Sequence, residues 1–154
     1  MKQSTASWVS RLAALMGGIY LCLGALKLVS AVGELPILSK PNPILSPLTY
    51  RQVVLVAGLC EVATGCLAWA FGSPIARLAA TSWMTGILAA YRLVLLWTGV
   101  GLPCSCLGPA AAWLGWSAEL ERQAGILLLL CLCSGCAAGW CGMLLPRGMF
   151  RRRN

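Results

Sequence analysis

Two cysteines one residue apart, Cys104 and Cys106, are the side chains of this 154-residue sequence best placed to do chemistry. They lie in the stretch Pro103-Cys104-Ser105-Cys106-Leu107-Gly108-Pro109. A bond between them closes a small ring that departs from relaxed disulfide geometry. Such strain raises the reduction potential and makes a disulfide labile and oxidising. Pro103 lacks an N–H and restricts Leu102, and Gly108 with Pro109 closes the turn, so both ends of the pair are held in shape. The spacing fits a redox-active pair; it also fits a static loop staple.

Seven further cysteines, at 22, 60, 66, 131, 133, 136 and 141, fall within apolar stretches. The total of nine is odd, so not all can pair within one chain. In apolar helices cysteine behaves as a small packing residue. Cys131, Cys133, Cys136 and Cys141 have the look of a metal cluster in one dimension. On a single helix they point in several directions and have no second pair to close a tetrahedral site, so no metal is expected. The sequence contains no His and no Asp, and its four acidic residues are all Glu. Ser-His-Asp triads, histidine-ligated haem and Asp-based phosphoryl transfer therefore have no residues to use.

A second group is ionisable and intramembrane. Hydrophobic residues make up 59% of the chain and charged residues 10%, against about 25% charged in a soluble domain. Four apolar runs, at about 10–32, 52–71, 74–99 and 124–145, are each long enough to cross a hydrocarbon core about 30 Å thick. Backbone polar groups at that depth must be satisfied within the segment, so the runs are expected to be helices. The fold class is an all-α, integral membrane four-helix transmembrane bundle in a lipid bilayer, in one domain. Lys27, Glu61 and Arg92 fall inside these runs. Each alone would cost about 2.5–3.5 kcal/mol on insertion scales. Similar depths predict that Glu61 bridges Lys27 and Arg92 in the bundle interior. The network is read either as a relay serving the cysteine pair or as a fixture of helix packing. Tyr20 and Tyr91 either extend this polar patch or anchor the bundle at the membrane interface.

The connections differ in kind. Gly72-Ser73-Pro74 is a tight turn between the second and third runs. The outer loops are expected at 33–51, with Pro36, Pro41, Pro43 and Pro47 excluding a continuous helix, and at 100–123, where Trp113 and Trp116 suit an interfacial segment. Gly17, Gly18 and Gly24, and Gly135, Gly139 and Gly142, permit close helix approach within the bundle or, alternatively, in a homo-oligomer. With both termini in the cytoplasm, the inner side holds seven basic residues (Lys2, Arg11, Arg77, Arg147 and Arg151 to Arg153) and the outer side three (Lys40, Arg51 and Arg122). The positive-inside rule then places the cysteine loop outside, in the oxidising periplasm if the host is a bacterium. The first helix is expected to be an uncleaved span, because Lys27 interrupts a run too long for a signal h-region. The net charge of +8 is scattered between apolar runs, with one terminal cluster suited to anionic lipid. No basic stripe with interleaved aromatics supports nucleic-acid binding.

Three segments occur in order: Gly24-Ala25-Leu26-Lys27-Leu28, Cys60-Glu61-Val62-Ala63-Thr64-Gly65 and Pro103-Cys104-Ser105-Cys106-Leu107-Gly108. In them the chain, over about residues 12 to 142, resembles the methylamine-utilisation protein MauE family within the wider DoxX-like group of four-helix membrane proteins. The resemblance implies an inner-membrane protein that helps form or maintain disulfides in exported partners. In the methylamine system the partner is the disulfide-rich small subunit of methylamine dehydrogenase. It further implies that Cys104 and Cys106 are the redox pair and that Lys27 and Glu61 are the family's intramembrane charges. Ser105 and Leu107 replace the family's usual Gly and Phe, and the first outer loop is longer than usual, so the substrate is not carried over. A periplasmic thioredoxin-like or Cys-rich exported protein is the partner class expected. No cofactor is evident from the residues; a quinone is one acceptor able to re-oxidise the pair. The alternative is a non-catalytic membrane subunit or assembly factor.

Overall fold

The computed structural model describes residues 2–33, 36–42, 44–98 and 115–144. Four helices account for most of them: α1 Lys2–Val32, α2 Tyr50–Ala70, α3 Pro74–Trp97 and α4 Ala118–Leu144. Each is long and apolar enough to span a membrane, and no strand occurs among the described residues. The protein is a multi-pass four-helix membrane bundle.

Its polarity is the reverse of a soluble domain's. The buried positions include Lys27, Ser30, Asn42, Glu61, Thr81, Thr85, Arg92 and Glu121, while Val32, Trp83, Leu93, Trp97 and Leu127 are exposed. Helices apolar all round with polar groups gathered inside are stable only where the outer surface meets lipid.

Local signals set the helix ends. Thr49 caps α2: its hydroxyl accepts from the Gln52 backbone N–H, while the Gln52 side chain accepts from the Thr49 N–H. This reciprocal box starts α2 two residues before the apolar run suggested. Ser117 accepts from the Leu120 N–H, and Glu119 and Glu121 lie in the first turn of α4, where negative charge suits the positive end of the helix. Residues 118–123, expected to lie in the outer loop, are therefore the start of α4, with exposed Trp116 just ahead of it. Pro74 opens α3. Nothing in residues 2–9 breaks a helix, so α1 extends eight residues beyond its expected start.

The bundle runs up and down, with neighbouring helices antiparallel. α1 and α2 make the most extensive pairing. A Cβ added at Gly24 would lie 2.7 Å from the Gly58 carbonyl oxygen, and one at Gly65 would lie 2.8 Å from that of Gly17. The two backbones therefore touch at points one heptad apart, two helical turns, which only glycine permits. Gly139 of α4 packs on Leu78 of α3 and Gly135 on Met16 of α1, so these glycines serve packing inside the bundle. Met16, Tyr20, Met84, Leu132 and Cys136 form the central apolar cluster.

One end of the bundle carries the Gly72-Ser73 turn and is called the turn end. The other, where α1 and α3 finish and α2 and α4 begin, is the loop end. There the proline-rich segment is ordered, with a 3-10 turn at Pro36–Ser39 and Pro41 bridging Thr49. Leu38 is buried against Ala31 and Val54. Asn42 is 1% exposed. Its side chain accepts from the backbone N–H groups of Ile44 (2.9 Å) and Leu45 (3.0 Å) and donates to Tyr91 Oη (3.1 Å). Asn42→Leu leaves those donors without an acceptor, and a stability loss of about 1–3 kcal/mol is expected. It should appear as a lower Tm in detergent and as faster proteolysis between residues 38 and 49.

Candidate functional site

The charged residues inside the bundle come from different helices and depths. Lys27 is five residues from the end of α1, Glu61 eleven from the start of α2, and Arg92 five from the end of α3. Lys27 and Glu61 are 2% and 0% exposed and form a direct ion pair through Glu61 Oε1. The Gly24–Gly58 contact, less than one turn from Lys27, brings α1 close enough for the four-carbon lysine stem to reach the carboxylate. Ser30, also fully buried, donates its hydroxyl to the Lys27 carbonyl.

Arg92 does not join the pair. It is 5% exposed, and its Nε has no hydrogen-bond partner among the described residues. Counted from the helix ends, Lys27 and Arg92 lie at the same depth; what sets Lys27 apart is the Gly24–Gly58 contact, which carries α1 onto α2 beside it. At the level of Glu61, α3 presents Leu88, one turn deeper than Arg92. The expected Lys27–Glu61–Arg92 bridge is thus a two-membered pair with a separate buried arginine nearer the loop end.

Glu61 Oε2 is buried and has no partner among the described residues. Beside the pair is a cavity of about 10 Å³ lined by Lys27, Glu61, Leu88, Leu128 and Leu132. This is about the minimum that holds one water. It has no room for a quinone ring.

A polar file that sequence reasoning only half identified continues toward the turn end. Tyr20 is fully buried, and its Oη lies 2.6 Å from Thr85 Oγ1. Thr85 spends its own hydrogen on the Thr81 carbonyl at 2.8 Å, so Tyr20 donates to it. Cys136 Sγ of α4 lies 3.5 Å from the same hydroxyl. Thr81 in turn donates back to carbonyls of its own helix. Tyr20 therefore belongs to the interior, whereas the half-buried Tyr91 is tied to the loop-end segment through Asn42. The signal for the file was the Thr81–Thr85 spacing of four on an otherwise apolar helix, which puts both hydroxyls on one face.

Cys104, Cys106, Pro103 and Gly108 lie outside the described residues, as do Trp113 and Arg147 to Arg153. The seven remaining cysteines are all free thiols, with Cys136 buried and the others exposed on the bundle surface. Among the described residues no group of three or more metal-ligating side chains occurs.

No family model matches the chain, and neither a curated protein nor a solved structure does. The functional argument accordingly rests on the residues themselves.

Proposed function

We propose that this chain is a thiol–disulfide redox protein of the MauE, DoxX-like kind, in the bacterial inner membrane with both termini in the cytoplasm. Cys104 and Cys106 are its redox pair. The observation that carries the reading is that the seven helical cysteines are free. They leave Cys104 and Cys106, on the segment between α3 and α4, as the remaining two thiols and the ones whose spacing suits reversible bonding.

In the proposed cycle a thiolate of a Cys-rich exported protein, or of a thioredoxin-like carrier, attacks one sulfur of the Cys104–Cys106 disulfide. That S–S bond breaks, a mixed disulfide forms and the other cysteine leaves as thiolate. The partner's second thiolate then resolves the mixed disulfide. The partner loses two electrons and two protons and gains a disulfide, and the Cys104–Cys106 pair is left as a dithiol. A membrane quinone takes up two electrons and two protons, becomes quinol and restores the disulfide. The Lys27–Glu61 pair, whose cavity admits no quinone, serves this cycle by holding α1 and α2 together. Quinone reduction would then occur at the loop-end membrane surface.

Thiol trapping in intact cells tests the reading. A membrane-impermeant maleimide is expected to label Cys104 and Cys106 only after mild reduction, with the label lost in Cys104→Ser/Cys106→Ser. Cys104→Ser alone is expected to leave the protein level unchanged and to accumulate reductant-sensitive adducts through Cys106. Disappearance of the protein itself would instead assign the pair to a structural staple in an assembly factor. Failure to label under either condition would overturn the redox reading and its topology.

A further inference from the structure

Among the described residues the acidic side chains, Glu61, Glu119 and Glu121, all belong to the loop-end half or the middle of the bundle. The described part of the turn end has none. It presents Arg11 on α1 and Arg77 on α3. Arg77 is spent within the protein, donating to the Phe71 carbonyl and to Ser10 Oγ. Arg11 is exposed and makes no hydrogen bond or ion pair among the described residues.

From Arg11 a groove of about 640 Å³ runs along α1 toward mid-membrane, within the ~300–1,000 Å³ usual for small-ligand sites. Ala14, Gly18 and Cys22 form its floor, one turn apart. Gly18 differs from its neighbour Gly17. A Cβ at Gly17 would strike Ala68 at 2.8 Å, whereas one at Gly18 would meet nothing within 4 Å. No helix of this bundle uses the notch. Trp69 forms one wall and is fixed there, its indole N–H donating to the Ala14 carbonyl at 3.1 Å.

We propose that this groove binds an anionic phospholipid, with the phosphate on Arg11 and one acyl chain lying over Gly18 and Cys22 against Trp69. Charge complementarity selects this occupant. Among the described residues Arg11 has no counter-ion, it stands one helical turn beyond Trp69 at an end where no described side chain is acidic, and a phosphate diester is the anion that a bilayer supplies at that level. A second copy is the other candidate for a floor of small residues. A twofold axis normal to the membrane would bring Arg11 against its counterpart, so like charges oppose that arrangement. The inference is independent of the redox reading.

Native mass spectrometry of the full-length protein, equilibrated in detergent with equal amounts of phosphatidylglycerol and phosphatidylcholine, tests it. The wild type is expected to retain one phosphatidylglycerol in preference. Arg11→Gln should cut that preference about fivefold, the usual effect of one basic residue at an anionic surface. Gly18→Leu should abolish retention of both lipids by filling the notch. If Gly18→Leu fails to fold, Arg11→Gln decides alone, because Arg11 is exposed and makes no hydrogen bond or ion pair among the described residues. Equal retention of the two lipids by the wild type, or an unchanged preference in Arg11→Gln, overturns the proposal. So does an oxidative dimer in vesicles that Cys22→Ser removes, which would give the floor to a second copy.

Discussion

Glu61→Leu is expected to destabilise the bundle by about 3–5 kcal/mol, and the double variant Lys27→Met/Glu61→Leu to recover most of that loss. The single substitution leaves the Lys27 ammonium buried at 2% exposure with its counter-ion gone. The double substitution removes both charges and replaces them with side chains of similar bulk. Leu23, Leu88, Leu128 and Leu132 already line the space around the pair, so the new side chains enter an apolar setting. Thermal unfolding in detergent, followed by size-exclusion chromatography, reads the effect directly. The double variant also separates packing from chemistry. If it folds and Cys104 and Cys106 still cycle, the pair is a packing device, as proposed. If it folds and the cysteines no longer cycle, the pair takes part in the reaction. If it is no more stable than Glu61→Leu, the premise that the pair is a self-contained unit fails.

The second large effect is expected at the α1–α2 seam. Gly24→Ala should destabilise the protein by about 1–3 kcal/mol, although alanine is the better helix former by about 0.8–1.0 kcal/mol. Its Cβ would lie 2.7 Å from the Gly58 carbonyl and 2.9 Å from the Val62 amide nitrogen, and neither backbone atom can yield without separating the helices. Gly18→Ala adds the same methyl group to the same helix in open space and is expected to be neutral or stabilising. Equal Tm values for the two variants would mean that the close approach contributes nothing. Because Gly24 and Lys27 lie on one seam, combining Gly24→Ala with Glu61→Leu should cost less than the two added separately.

Much of this architecture was legible from the residues in order. Four long apolar runs in a chain so poor in charge can satisfy their backbones in lipid only as helices, and four spans place both ends of the bundle's chain on one side. Gly72 before Pro74 marked a helix boundary because such punctuation is local, whereas the apolar runs missed the caps at Thr49 and Ser117, which start α2 and α4 earlier. The expense of a lone intramembrane charge pointed to Lys27, Glu61 and Arg92 as partners, of which the first two pair. Chemistry at Cys104 and Cys106 is likewise a reading of spacing, and it stands as a proposal to be tested by thiol trapping.

Tertiary structure alone decided which polar groups meet. Lys27 and Arg92 are both five residues from the ends of their helices, and only the close approach of α1 to α2 at Gly24 and Gly58 decided that Lys27 is the one that meets Glu61. Rotation about the axis is the other unknown of a sequence apolar on every side, since no stripe then shows which face turns inward. Tyr20 could not be assigned to the core rather than the interface until Thr85 was seen 2.6 Å away. The same holds for two glycines adjacent in the chain. One turn of an α-helix takes 3.6 residues, so Gly17 and Gly18 point about 100° apart. The first is pressed against Ala68, and the second faces an open groove.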